Sequence, residues 1–177
     1  MRIIAGAWRG RPIEAPPGTA TRPTSDRTRE ALFSMLASRL GTFEGLRVAD
    51  LFAGTGALGL EALSRGAAHC TFVETDRKAI EALKRNIARL GAGDRADVRA
   101  QSALHGVPGP FDLVLIDPPY ATGFGPQALA ALGAAVAPGA WVSLETGVRE
   151  TVEAEGFALD AERIHGKAKI SLLTRES

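Results

Sequence analysis

The 177-residue sequence predicts an α/β fold, a mostly parallel seven-stranded sheet with an antiparallel hairpin at its C-terminal edge. Three observations predict it. From Leu46 to Leu144, short apolar runs alternate with segments of helical periodicity, the pattern of strands joined by helical crossovers. Phe111–Ile116 is almost unbroken apolar sequence, as a strand buried on both faces requires. Phe157–Ile164 and Ala168–Thr174 are separated only by His165-Gly166-Lys167, so they should pair antiparallel.

The elements follow in order. Ile3–Ala5 and Arg11–Glu14 read as two short strands joined through Gly6 and Gly10. Ala15-Pro16-Pro17-Gly18 breaks regular structure, and Pro23-Thr24-Ser25-Asp26 offers helix N-cap residues. Leu32, Met35, Leu36 and Leu40 then fall on one helix face. Leu46–Leu51 is a strand ended by a glycine-rich turn, Ala57–Ser64 a helix, and Cys70–Val73 a strand. Ile80, Leu83, Ile87 and Leu90 mark Arg77–Leu90 as the clearest helix. Ala96–Ala100 is a third strand and Phe111–Ile116 a fourth. A helix over Pro126–Val136 should stop at Pro138-Gly139, before a strand at Trp141–Leu144. Val148–Glu155 reads as a further helix before the hairpin. All this forms one domain, 1–177, in which 1–40 is a basic appendage and 41–177 the core.

Composition narrows the classes. Apolar residues make up 45% and charged residues 23%, which excludes disordered and fibrous chains. The single cysteine, Cys70, excludes an internal disulfide and a cysteine-cluster zinc site. His69, His105 and His165 lack ligand spacing, so no metal is expected. Arg9 and Arg11 interrupt any signal-peptide core, and no apolar run approaches the ~18 residues of a membrane span. A soluble cytoplasmic monomer or small oligomer is the expectation. Residues 1–39 hold seven arginines against three carboxylates, in a chain whose net charge is only +1. That asymmetry points to a basic arm that meets a polyanion.

Two motifs carry chemistry. The first runs Asp50-Leu51-Phe52-Ala53-Gly54-Thr55-Gly56-Ala57-Leu58-Gly59, where a strand turns into a helix. Gly54 and Gly56 permit a close backbone approach to a ligand at the helix N-terminus. Glu74 ends the next strand, where a carboxylate accepts hydrogen bonds from a ribose diol. Together they indicate a nucleoside-containing cofactor. The glycine spacing also satisfies the dinucleotide fingerprint, but Asp50 suits a cationic amino-acid end such as that of S-adenosylmethionine better than a pyrophosphate.

The second motif is Asp117-Pro118-Pro119-Tyr120, directly after the buried strand. The prolines hold Asp117 and Pro118 extended. The Asp117 carboxylate and the Pro118 carbonyl then accept hydrogen bonds from one amino group, while Tyr120 stacks on a flat ring. An exocyclic purine amine is a poor nucleophile because its lone pair is delocalised. Two acceptors on its hydrogens favour a pyramidal nitrogen, which attacks an activated methyl group. Cys70 packs as a small apolar residue, and Trp8 and Trp141 as packing residues.

With these motifs, the chain resembles the RsmD family of class I S-adenosylmethionine-dependent methyltransferases. The likeness extends over nearly its whole length, including Met1-Arg2-Ile3-Ile4-Ala5-Gly6, Trp8-Arg9-Gly10-Arg11 and Arg22-Pro23-Thr24-Ser25-Asp26-Arg27 with Arg29-Glu30. The resemblance implies a Rossmann-like methyltransferase fold and methyl transfer to guanine N2 of 16S ribosomal RNA, within assembled small subunits. It implies that Asp50, Gly54, Gly56 and Glu74 line the cofactor site and that Asp117 to Tyr120 hold the guanine. Related enzymes often carry Asp or Asn after the third strand; this chain has Gln101-Ser102, which leaves Ser102 or backbone for the adenine. Arg9, Arg11, Arg22, Arg27 and Arg29 are the expected grip on RNA phosphates. Three other classes compete: an adenine-N6 methyltransferase of DNA or RNA, a NAD-dependent oxidoreductase, and a cofactor-binding RNA chaperone without catalysis.

Overall fold

A computed structural model describes residues 1–15 and 23–177. Seven strands form one sheet: β1 (Arg47–Leu51), β2 (His69–Glu74), β3 (Ala96–Ala100), β4 (Phe111–Ile116), β5 (Val136–Gly147), β6 (Phe157–His165) and β7 (Ala168–Arg175). Their order across the sheet is β3-β2-β1-β4-β5-β7-β6. The first five are parallel, and β7 runs antiparallel to both β5 and β6. The helices are α1 (Pro23–Leu40), α2 (Ala57–Ser64), α3 (Arg77–Leu90) and α4 (Phe124–Leu132).

Alternation along the strands divides the core into two layers. Val48, Leu113 and Leu115 face one side, with Leu36 of α1, Leu60 of α2 and Leu83 of α3. Ala49, Val114 and Ile116 face the other, with Leu129 and Leu132 of α4. Ile3, Ile13 and Phe33 belong to the first layer, so the N-terminal segment shares the core of the sheet. A single carboxylate reinforces this. Glu61 of α2 is fully buried; its two oxygens accept from the backbone N–H of Ile4 and Ala5 at 2.9 and 3.1 Å. It also pairs with Arg65 at 2.9 Å and Arg29 at 3.5 Å.

Several elements differ from the sequence-based expectation. The two N-terminal strands contract to a single antiparallel bridge, Arg2↔Pro12, flanked by turn hydrogen bonds. Thr24, Ser25 and Asp26 lie inside the first turn of α1 rather than capping it, because the helix begins at Pro23. The Pro16-Pro17-Gly18 break lies outside the described residues. Pro138-Gly139 does not stop the chain: β5 runs through it, and the register against β4 shifts between Phe111 and Leu113. This extra length is a bulge, where proline and glycine are tolerated in a strand. The preceding helix begins at Phe124 and ends at Leu132, where Gly133 turns to φ 49°. Val148–Glu155 is not helical. Instead Glu150 closes a turn, donating its N–H to Gly147 O at 3.1 Å while its carboxylate accepts from Gly147 N at 2.5 Å.

Candidate active site

Strands β1 and β4 are direct neighbours, with Leu51 opposite Ile116. Both motifs therefore leave the sheet side by side at its carboxyl edge, where ligands of open α/β sheets bind. The Asp117 N–H points to Leu51 O at 3.4 Å, joining the two exits directly.

The glycine turn is held from both sides. Gly54 has φ 58° and Gly56 φ 91°, left-handed angles that favour glycine. A Cβ on Gly56 would lie 2.4 Å from Leu83 Cδ1, so the position also admits no side chain. Glu74 Oε1 accepts from Gly54 N at 2.8 Å, and its Oε2 from Thr75 N and Asp76 N, both at 2.9 Å. The carboxylate expected to read a ribose thus also fixes the loop that would receive the rest of the cofactor. Three of the carboxylate's roughly four lone-pair sites are thus taken, and Oε1 keeps one for a hydroxyl.

Asp50 plays a different part from a simple ligand. It is 1% exposed, and its Oδ2 accepts from Gly59 N at 2.9 Å. Burial pushes its carboxyl up from 3.8 to about 8, against the Gly59 hydrogen bond, with the charge of Glu74 raising it further. Asp50 braces the turn from beneath. Ser102 accepts from Leu104 N at 3.1 Å and caps the turn Ala103–His105, leaving its hydroxyl proton to donate. Gln101 is spent on Gly106 O at 2.7 Å.

In the second motif Pro118 is buried, whereas Asp117, Pro119 and Tyr120 are exposed at the cleft. Tyr120 shows 46% of its surface, ample for stacking on a ring. Ala121 takes φ 59°, and Thr122 Oγ1 donates to Pro119 O at 2.8 Å, so the turn is pinned from its far side. Sequence reasoning missed Phe52 and Phe124. Their rings stack at 6.4 Å with 1° between planes, joining the glycine turn to the start of α4. The signal lay in the order of motifs, but the φ of 59° at Phe52 has no sequence signature.

The arginines divide. Arg29 is 3% exposed, bound by Asp26 at 3.2 Å, by Glu61 and by Arg2 O. It is a structural cation, withdrawn from any RNA. Arg9 lies in the turn that packs on Ser64, where Ala7 N donates to Ser64 O at 2.8 Å. Arg11 donates to Arg89 O at 2.7 Å, near the end of α3. Both α2 and α3 run away from the carboxyl edge, so Arg9 and Arg11 sit at the opposite end of the sheet from Asp117. Arg27 is exposed on α1, and Arg22 lies outside the described residues. Among the described residues no group of three or more potential metal ligands occurs, and no helix is long and apolar enough to cross a membrane.

The family described as Conserved hypothetical protein 95 matches residues 1–174. Ribosomal RNA small subunit methyltransferase D of Escherichia coli is 39% identical over all of this chain and 91% of its own length. The Haemophilus influenzae protein of that name is 41% identical over 75% of this chain and 70% of its own. The solved structure of Escherichia coli yhhF superposes with a TM-score of 0.86 at 38% identity, covering 100% and 98% of the two chains. Magnesium protoporphyrin IX methyltransferase from Synechocystis, solved with S-adenosylmethionine, reaches a TM-score of 0.71 at 16% identity, over 90% of this chain and 87% of that one. That last likeness concerns the fold, which is the class I methyltransferase fold.

Proposed function

We propose that this chain, which belongs to the RsmD family of methyltransferases, methylates the exocyclic N2 of a guanine in 16S ribosomal RNA, with S-adenosylmethionine as donor. One observation carries the reading: the glycine turn and Asp117–Tyr120 leave adjacent strands at one edge, joined through Asp117 N and Leu51 O. A donor on the first motif and an amine on the second would be neighbours.

S-adenosylmethionine supplies an electrophilic methyl group. The residues present fit it: a backbone turn closed to side chains at Gly56, and a clamped carboxylate at Glu74 with one acceptor site left on Oε1 for a ribose hydroxyl. Tyr120 supports the base from one face. The Asp117 carboxylate and Pro118 carbonyl accept the two amine hydrogens and direct the nitrogen lone pair toward the methyl carbon. As positive charge develops on nitrogen, those acceptors strengthen, and the proton leaves with or after methyl transfer. Alignment of this kind removes about 7–11 kcal/mol of a bimolecular barrier. The target base must leave its stack to reach the clamp, which suits an unpaired or loop guanine. Assembled small subunits, which hold such a loop in one shape, are the substrate we expect.

Transfer of tritiated methyl to small subunits from cells lacking the homologous enzyme, followed by nucleoside analysis, tests this. N2-methylguanine is expected; N6-methyladenine overturns the assignment. Asp117→Ala should cut kcat by at least about a hundredfold, the usual scale for a positioned polar group at the reacting centre. S-adenosylmethionine affinity, read by calorimetry, should stay within twofold.

A further inference from the structure

Arg29 is buried, and Arg9 and Arg11 sit at the end of the sheet away from Asp117, so phosphates beside the target base need other partners. Strand β5 continues to Gly147, three residues past the Leu144 that faces Ile116. Gly147 pairs with Ala168, and Ala168 with His165. The hairpin tip His165-Gly166-Lys167 therefore rises at the same edge as Asp117. It stands three strand spacings away, about 14 Å.

A groove of about 310 Å³ runs between this edge strand and α1. Its walls are Ser34, Ser38 and Arg39 on the helix and Arg163 and His165 on β6. No carboxylate lines it. Asp160 stands below, held by Arg39 at 3.1 Å, and Glu162 pairs across the sheet with Lys169 at 3.9 Å. Arg163 is exposed and makes no ion pair or hydrogen bond among the described residues. Helical spacing puts Arg27 on the same face of α1 as Ala31, Ser34 and Ser38. The Arg39–Asp160 pair fixes the C-terminal end of α1 low on β6, so Arg27 lies at the end nearer the hairpin tip. Arg27 is likewise exposed and without a partner among the described residues. Glu30, exposed one turn away, lies outside the groove walls.

We propose that the groove between α1 and β6, with Arg27, Arg163 and Lys167 as its cations and His165 as a further polar contact, binds the phosphate backbone of the substrate RNA beside the target base. This rests on the RNA reading above and adds the path of the strand to it. An uncommitted guanidinium, the Ser34 hydroxyl and a carboxylate-free wall are chemistry that holds phosphates, while Ser38 is engaged with Met35 O and Arg39. Placement at the catalytic edge lets one strand reach the clamp and the groove together.

The test is Arg163→Glu, with Arg163→Lys as rescue and Arg27→Glu as a second site. Small subunits are the methyl acceptor, and a labelled 16S RNA fragment gives direct binding by filter retention. Charge reversal should raise KM for particles at least about tenfold with kcat within twofold, and Arg163→Lys should restore most of it. The slope of log affinity against log salt should fall by ~0.7–0.9 for each phosphate that is no longer neutralised. S-adenosylmethionine affinity and melting temperature should not move. Unchanged KM and salt slope, or a KM effect matched by weakened cofactor affinity, overturns the groove. The two readings separate cleanly. Methylguanine formed with a KM indifferent to Arg163 sinks the groove alone. Arg163-dependent RNA binding without methylguanine sinks the guanine assignment alone.

Discussion

Asp50 and Glu74, on neighbouring strands, show how two carboxylates holding one loop divide the work. Asp50 is buried and neutralised by its surroundings, with its carboxyl at about 8. The folded chain therefore keeps a proton that the unfolded chain sheds above about pH 4. This group's contribution to stability is full below that pH, falls as pH rises toward 8, and is level beyond it. Asp50→Asn keeps an acceptor for Gly59 N and carries no charge. Its urea midpoint should stay flat between pH 5 and 8, where this group makes the parent's fall, and should exceed the parent's above pH 8. Glu74 bonds three backbone N–H groups and keeps one acceptor site, on Oε1, for a hydroxyl. Glu74→Ala should weaken S-adenosylmethionine binding by at least about tenfold, the loss of one charged hydrogen bond or more. Calorimetry at pH 7 would read that change, and an unaltered affinity would remove Glu74 from the cofactor site.

At the scale of elements, Glu61 ties three pieces of backbone that are remote in sequence: residues 4–5, α1 through Arg29, and α2. Glu61→Gln leaves Arg29 buried without its full countercharge, with a loss of about 3–5 kcal/mol expected. Loss of helical circular dichroism in urea at a lower midpoint would show it, and a change under about 1 kcal/mol would mean the arginines find other partners. No sequence pattern announces this network, because Ile4 lies 57 residues from Glu61 and no local periodicity links them. Elements with strong local periodicity were legible: Ala57–Ser64, Arg77–Leu90, Ala96–Ala100 and Phe111–Ile116 have the expected bounds. What local pattern could not reveal was tertiary override. Pro138-Gly139 reads as a stop, yet pairing with β4 and β7 on either side carries β5 through it. Val148–Glu155 has helical spacing, yet Lys169 Nζ binds Glu150 O and the Glu150 turn takes the backbone. That the two motifs end neighbouring parts of one sheet edge was legible; that Arg29 points inward was not, since charge alone carries no direction.

For the whole molecule, the sheet separates two duties by edge. The carboxyl edge gathers the glycine turn, Asp117–Tyr120 and the hairpin tip, while the opposite end holds Trp8, Arg9 and the packing of Arg95 on Trp8 at 5.5 Å. A cofactor bound at the first edge would touch the loops after β1, β2 and β3, of which Glu74 already ties the first two through Gly54 N. Binding to the folded chain alone stabilises it by about 2.7 kcal/mol at a hundredfold excess over Kd. For a domain of this size that raises the melting temperature by roughly 5–10 °C. S-adenosylmethionine at saturating concentration should give this shift, and NAD at equal concentration should give none. In Glu74→Ala the shift should shrink, whereas in Asp117→Ala and Arg163→Glu it should persist, because those residues lie beyond the donor. A shift with NAD and not with S-adenosylmethionine would mean that the glycine turn receives a pyrophosphate, and the methyl-transfer reading would fall with it.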